Sequence, residues 1–262
     1  MSDAGVWVKL EDAGSSGELP GLGGWATIKE VSGNPTRYEY PAGNPEWVAF
    51  EWTNTSTTGN VKIAEEGLME VLVVGGGAGT SGDGSIRGSG GGVIKGVEMM
   101  SVDSTVAVGA GGDNSGSSTS GMGKYSQLGE IRVGGGTRID SPNGYKRGSS
   151  GGYYAGAGSA GNGQGRTTGG VGTISNIRTG VDELYASGGG DYRPPADDRP
   201  GDGADGDNQA GTGYGVAGEN GCVIIRVPVE YDDTKGQGST PASVVAAVDQ
   251  AKETIKRNRR NR

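Results

Sequence analysis

Histidine is absent from this 262-residue chain. That removes the commonest general base and metal ligand. Cysteine is nearly absent too. Cys222 stands alone, so no internal disulfide is available, and its setting in "GCVIIRV" reads as a small buried apolar residue of a strand. Phe50 is the only phenylalanine and the apolar fraction is 32%, which argues against one large conventional core. No apolar run approaches the length that spans a bilayer, so membrane insertion is not expected. The N-terminus, "MSDAGVWVKLEDAG", lacks the basic and apolar stretches of a signal peptide, which predicts synthesis in a cytoplasm and surface exposure only by assembly. The net charge is −8. Six basic residues (Lys252, Lys256, Arg257, Arg259, Arg260 and Arg262) face only Glu253 at the C-terminus, so the body is more acidic still. Such a body is not built to bind nucleic acid.

What is present is glycine. The chain holds 57, about three times average usage, and 45 of them fall among residues 75–221. There is no G-X-Y register and almost no proline before Pro194, which excludes collagen. A flexible linker would have no reason to carry the strand-like inserts "GVIKGVEMM", "STVAVGAGG", "EIRVGGG" and "GCVIIRVPV". A folded body is therefore expected, with glycine segments packed backbone against backbone, an approach that only glycine allows. Polyglycine-II-like packing is one way to achieve it.

The order of patterns predicts a mostly β chain. Residues 1–24 read as an N-terminal arm. Residues 25–74 alternate in "WATIKEV", "TRYEY", "EWVAFEWT" and "NVKIAEE", then run apolar in "MEVLVV", with turn signals between. They read as an antiparallel β module. In "EWVAFEWT", Val48, Phe50 and Trp52 fall on one face, with Trp47, Ala49 and Glu51 on the other. Residues 75–229 form the glycine-rich β domain, 230–239 a linker, and 240–262 a C-terminal amphipathic basic α-helix. Thr240 can cap that helix, with Pro241 in its first position.

Several chemistries can be tested on their motifs. Gly77, Gly79 and Gly82 satisfy G-x-G-x-x-G after a strand, with Glu98 downstream. A dinucleotide site needs a helix to follow, but Gly84, Gly88, Gly90, Gly91 and Gly92 occupy it, at roughly 1 kcal/mol each. No helix and no nucleotide are expected there. "SSTSGMGKYS" fails as a P-loop, with Ser118 at the first glycine position and Tyr125 after Lys124. Asp202, Asp205 and Asp207 are weak Ca²⁺ candidates in an acidic loop that lacks EF-hand spacing. No convergent titratable set marks an enzyme, and no cofactor is expected.

One ordered succession of motifs covers residues 25–227. An aromatic strand is followed by "GNVKIAEEG" and then "MEVLVVGGG". Gly91-Gly92-Val93-Ile94 comes next, then Val106-Ala107-Val108-Gly109-Ala110-Gly111-Gly112. Tyr125-Ser126-Gln127-Leu128-Gly129 and Gly134-Gly135-Gly136 close the series. This succession resembles the glycine-rich domain of bacteriophage tail proteins, of the minor tail protein and tail-fibre adhesin type. The resemblance implies a structural virion component of a tail, at the tip or in a fibre, that contributes to host attachment. Its partners would be other virion proteins and a glycan or protein of the host surface. The alternative is a capsid-decorating or other surface interaction protein without a receptor role.

Two residue sets carry that expectation. Tyr145, Tyr153, Tyr154, Tyr185, Tyr192 and Tyr214 lie among Gly and Ser, as in recognition loops that gain contact area at low entropic cost. The other reading is that these rings fill gaps in a core short of phenylalanine. Val244, Val248, Ala251 and Ile255 make a heptad stripe of about two heptads. A seam this short needs a partner, either in a homotrimer or by docking on a neighbouring protein.

Overall fold

A computed structural model describes residues 24–80, 88–113, 121–137, 170–189, 199–204 and 217–236. The N-terminal arm up to residue 23 and the C-terminal helix lie outside them. Among the described residues there are twelve strands, two 3-10 turns and no α-helix.

Two five-stranded antiparallel sheets carry the fold. The first contains β2 (Thr36–Tyr40), β3 (Trp47–Trp52), β5 (Gly67–Val74), β6 (Val93–Met100) and β12 (Cys222–Pro228), in the order β2-β3-β12-β5-β6. The second contains β1 (Thr27–Val31), β4 (Gly59–Glu65), β7 (Ser104–Ala107), β8 (Ser126–Leu128) and β9 (Ile131–Val133), in the order β1-β4-β7-β8-β9. The remaining pair, β10 (Thr173–Ser175) and β11 (Glu183–Tyr185), is an antiparallel hairpin.

Strand periodicity assigns the faces. Val48, Phe50 and Trp52 of β3, Met69, Val71 and Val73 of β5, and Val223, Ile225 and Val227 of β12 point one way. They pack against Ile28, Val61, Val106, Leu128 and Val133 of the second sheet, which makes the main core. The opposite residues, Ala49, Leu72, Val74, Cys222 and Ile224, are covered by Ile177, Tyr185 and Ala186 of the hairpin region. β5 and β12 are therefore buried at every position. That burial explains why their sequences run apolar without alternating.

The compositional boundary at residues 74 and 75 is not a structural one. β12, from the far end of the glycine-rich stretch, inserts between β3 and β5, with Ile225 opposite both Phe50 and Val71. The module at 25–74 thus has its sheet completed by residues 222–228. The linker expected at 230–239 is also corrected in part. Residues up to 236 dock as two 3-10 turns, Val229–Tyr231 and Asp233–Gly236. Asp232, between them, is buried, bridges Ile28 and ion-pairs with Arg37.

Beyond the strand ends, the glycine segments continue side by side. The segment 75–80, which extends β5, lies at their centre. Its amides donate in a cycle of three: Gly75 to Gly92 O (3.0 Å), Gly76 to Lys124 O (3.0 Å) and Gly77 to Glu219 O (2.8 Å). The cycle then repeats, with Ala78 to Ser89 O (2.8 Å) and Gly79 to Gly121 O (2.8 Å). Its carbonyls accept from three further segments, through Gly136 N, Gly112 N and Ala204 N. One segment is thus bonded to six others: 88–92, 121–124, 217–221, 134–137, 109–113 and 200–204. A β-strand turns successive amides to two neighbours. Here the period becomes three, as in an extended helix with three residues per turn. A Cβ at Gly77 would come within 3.0 Å of the Asp202 and Gly201 carbonyl oxygens, so the spacing depends on its absence.

Candidate functional site

The chain leaves the described part of this bundle after Thr80, Asp113, Thr137 and Ala204, and rejoins it at Gly88, Gly121, Gly170 and Ala217. These points share one level, away from the sheets. Gly79 N donates to Gly121 O, Ala204 N to Ala78 O, Gly88 N to Ala204 O and Gly189 N to Gly88 O. The strands start at the opposite level, where Gly75 meets Gly92 and Gly221 N donates to Gly109 O. Polar side chains complete the bonding. Ser126 Oγ accepts from Gly109 N (2.9 Å) and donates to Val74 O (2.6 Å). Asn220 Oδ1 accepts from Gly111 N (3.0 Å).

Of the candidate contact tyrosines, Tyr145, Tyr153, Tyr154, Tyr192 and Tyr214 lie outside the described residues. Tyr185 does not, and its placement corrects the expectation. It is 1% exposed and packs under the hairpin with Leu72 and Ile224. Its Oη donates to Glu183 Oε2 at 2.9 Å. Burial, then the Cys222 and Glu183 charges, push its pKa well above the usual range. For Tyr185 the gap-filling reading holds, and it offers no ring to a partner. Val244, Val248, Ala251 and Ile255 lie outside the described residues, as do Asp205 and Asp207. Asp202 is buried, and its Oδ1 accepts the Ser187 amide at 2.7 Å. That carboxylate is thus engaged inside the fold. Among the described residues no group of three or more His, Cys, Asp or Glu is placed to hold a metal.

The opening glycines are likewise accounted for. Residues 75–80 and 88–92 contain no helix. The amides of Gly77 and Gly79, which a dinucleotide site would aim at a pyrophosphate, donate instead to Glu219 and Gly121.

A second site was not legible in the sequence. It lies on the outer face of the first sheet, where the β10–β11 turn leans over β12 and β5. Arg226 and Glu70 form an ion pair whose side chains are 10% and 8% exposed. Arg226 Nη1 donates to Tyr40 Oη (2.6 Å), and the guanidinium lies 4.8 Å from the Trp47 ring centroid. Burial raises the Glu70 pKa despite the Arg226 charge. Nearby, Arg178 of the turn bonds Glu183 (2.7 Å) and reaches Glu51 (3.5 Å), which accepts from Tyr38 Oη (2.7 Å). Burial opposes the charge on Arg178, but these two carboxylates outweigh it and raise its pKa. Burial and Glu51 push Tyr38 up to about 12. The turn is therefore pinned to the sheet by charge. Between them a cleft of about 480 Å³ remains, lined by Glu70, Arg226, Lys95, Ile174, Asn176 and Asp182 among others.

Comparison with known proteins gives no significant match: no family model, no curated protein and no solved structure matches the chain.

Proposed function

We propose that this chain is a structural component of a bacteriophage tail, at its tip or in a fibre, and that its glycine bundle is a polyglycine-II-type pillar presenting recognition loops. One observation carries the reading: the segments around 75–80 all open toward the end away from the sheets. In sequence, the connections from that end are 81–87, 114–120, 138–169 and 205–216. Tyr145, Tyr153 and Tyr154 belong to the third of them, and Tyr214 to the fourth. A pillar bonded in six directions holds the points where these connections begin and end at fixed spacing. The ordered motif resemblance over residues 25–227 supports the tail assignment. A host-surface glycan or protein is the partner class that Tyr-, Gly- and Ser-rich loops suit.

Immunogold labelling of intact particles tests the placement. Gold at the tail tip or fibre is expected; gold distributed over the capsid would favour a decorating protein. Replacing Tyr145, Tyr153 and Tyr154 with Ser tests the loops. Adsorption to host cells is expected to fall while incorporation into particles stays normal.

A further inference from the structure

An open sheet edge is a template for pairing, and proteins blunt such edges. In the two five-stranded sheets, three of the edge strands are blunted. β1 carries register shifts and is bridged at Ile28 by Asp232. β9 is three residues long. β2 is five residues long and lies between Pro35 and Pro41. β6 is neither short, nor bulged, nor capped. It has eight residues without proline and pairs with β5 in unbroken register. Among the described residues no strand lies on its other side, and Met99 is 52% exposed. We propose that the N-terminal arm of the same chain docks on this edge, with residues 7–12 as an added antiparallel strand. The inference does not rest on the tail reading.

The arm carries a strand pattern that matches β6. Met99, Val97 and Lys95 share the outer face with their β5 partners Leu68, Glu70 and Leu72, whereas Met100 and Glu98 fall on the core face. With Lys9 opposite Glu98, antiparallel pairing sets Val8 against Met99, Leu10 against Val97 and Asp12 against Lys95. Trp7 then meets Met100 at the margin of the main core. Apolar residues face apolar ones, and each charge of β6 faces its opposite. Lys95 has one of its three donors on Ile174 O, which leaves two for Asp12. The arm also enters the fold nearby. Leu68 N donates to Gly24 O (2.9 Å) and Ala26 N to Leu68 O (2.8 Å), and Leu68 is opposite Met99. From Gly24 across β5 and β6, and up to the level of Lys95, is roughly 28 Å counted along the two directions. Residues 13–23 can span up to about 36–40 Å, and "AGSSG" after Asp12 supplies the turn.

The test is hydrogen exchange of the full chain, read on the amides of β6 that point away from β5. Val8→Asp with Leu10→Asp sets two carboxylates against Met99 and Val97. Exchange at those amides should quicken by about tenfold or more, while the buried strand β12 exchanges as in the parent. Lys9→Glu should act in the same direction by repelling Glu98, and Lys9→Glu with Glu98→Lys should restore the parent rate. A second measurement uses the spacing of paired strands, which suits a disulfide. Val8→Cys with Met99→Cys should cross-link within one molecule on oxidation; Cys222 is buried and does not compete. Equal β6 exchange in the parent and the Val8, Leu10 variant would overturn the proposal. So would failure of the two cysteines to cross-link. A cross-link formed only between two molecules would also overturn it, in favour of an arm exchanged between copies.

Discussion

Gly77→Ala adds one methyl group to the centre of the glycine bundle. In the present backbone its carbon would meet Asp202 O, Asp202 C and Gly201 O within 3.0 Å, all of them main-chain atoms. No side chain can rotate away, so the segment 200–204 must move. That movement strains bonds the segment makes, among them Ala204 N to Ala78 O (2.9 Å), Glu219 N to Asp202 O (2.9 Å) and Gly91 N to Gly201 O (2.8 Å). Overpacking alone costs about 1–3 kcal/mol, and each weakened bond up to about 1 kcal/mol. A combined loss of roughly 1–6 kcal/mol is a sizeable share of the ~5–15 kcal/mol that holds a domain folded. At ~2–4 °C per kcal/mol, the melting temperature should fall by roughly 2–24 °C. Gly96→Ala is the matched control. Its Cβ would meet nothing within 4 Å, on the edge strand β6. There the substitution should stabilise by ~0.4–1 kcal/mol, because it narrows only the unfolded ensemble. Thermal unfolding of both full-length variants by circular dichroism reads the contrast. Equal melting temperatures would refute close backbone packing at Gly77 and restore a loose, linker-like glycine region.

Glu70→Leu alone should destabilise the fold by about 3–5 kcal/mol by stranding the Arg226 charge. Adding Arg226→Met should recover most of that loss in denaturant midpoints; a double variant as unstable as the single would show that the pair is not the cause. Alkaline unfolding follows from the tyrosines. Tyr38 is pushed up to about 12, and Tyr40 and Tyr185 are raised as well, chiefly by burial. Their folded pKa values exceed the unfolded value near 10, so the stability they contribute is full below pH ~10 and lost as pH rises from ~10 through ~12. Phenolate absorbance and circular dichroism should change together, and free titration of every tyrosine in an intact fold would contradict this. If the C-terminal stripe drives the proposed self-association, the parent should scatter light as a trimer and Val248→Asp with Ile255→Asp as a monomer. Intact trimers that no longer enter particles would make the helix a docking element instead.

The strands of the first module were legible because each shows a two-residue period or an apolar run bounded by Gly, Asn and Pro. Val48, Phe50 and Trp52 face the main core as their alternation requires. β8, β10 and β11 were not legible: at three residues each, "SQL", "TIS" and "ELY" are too short to show a period. Tyr185 looked like a loop residue among glycines, but its burial depends on a hairpin whose strands carry no signal of their own. Glu70 and Arg226 look like ordinary strand charges 156 positions apart, and nothing local marks them as a buried pair.

The sequence by itself indicated that segments here would be β or extended and that the glycine run disfavours a helix, and the described residues 75–80 and 88–92 are non-helical. Those conclusions follow from local causes: alternation, turn chemistry and the cost of glycine in a helix. Only the tertiary structure decided which segments became neighbours. Gly77 meets Glu219 and Asp202, more than a hundred residues away, and β12 completes a sheet begun at residue 36. A glycine carries no side chain by which its partner can be read. The six neighbours of segment 75–80 are selected by main-chain hydrogen bonds, which are the same at every position until the rest of the fold fixes where each chain runs.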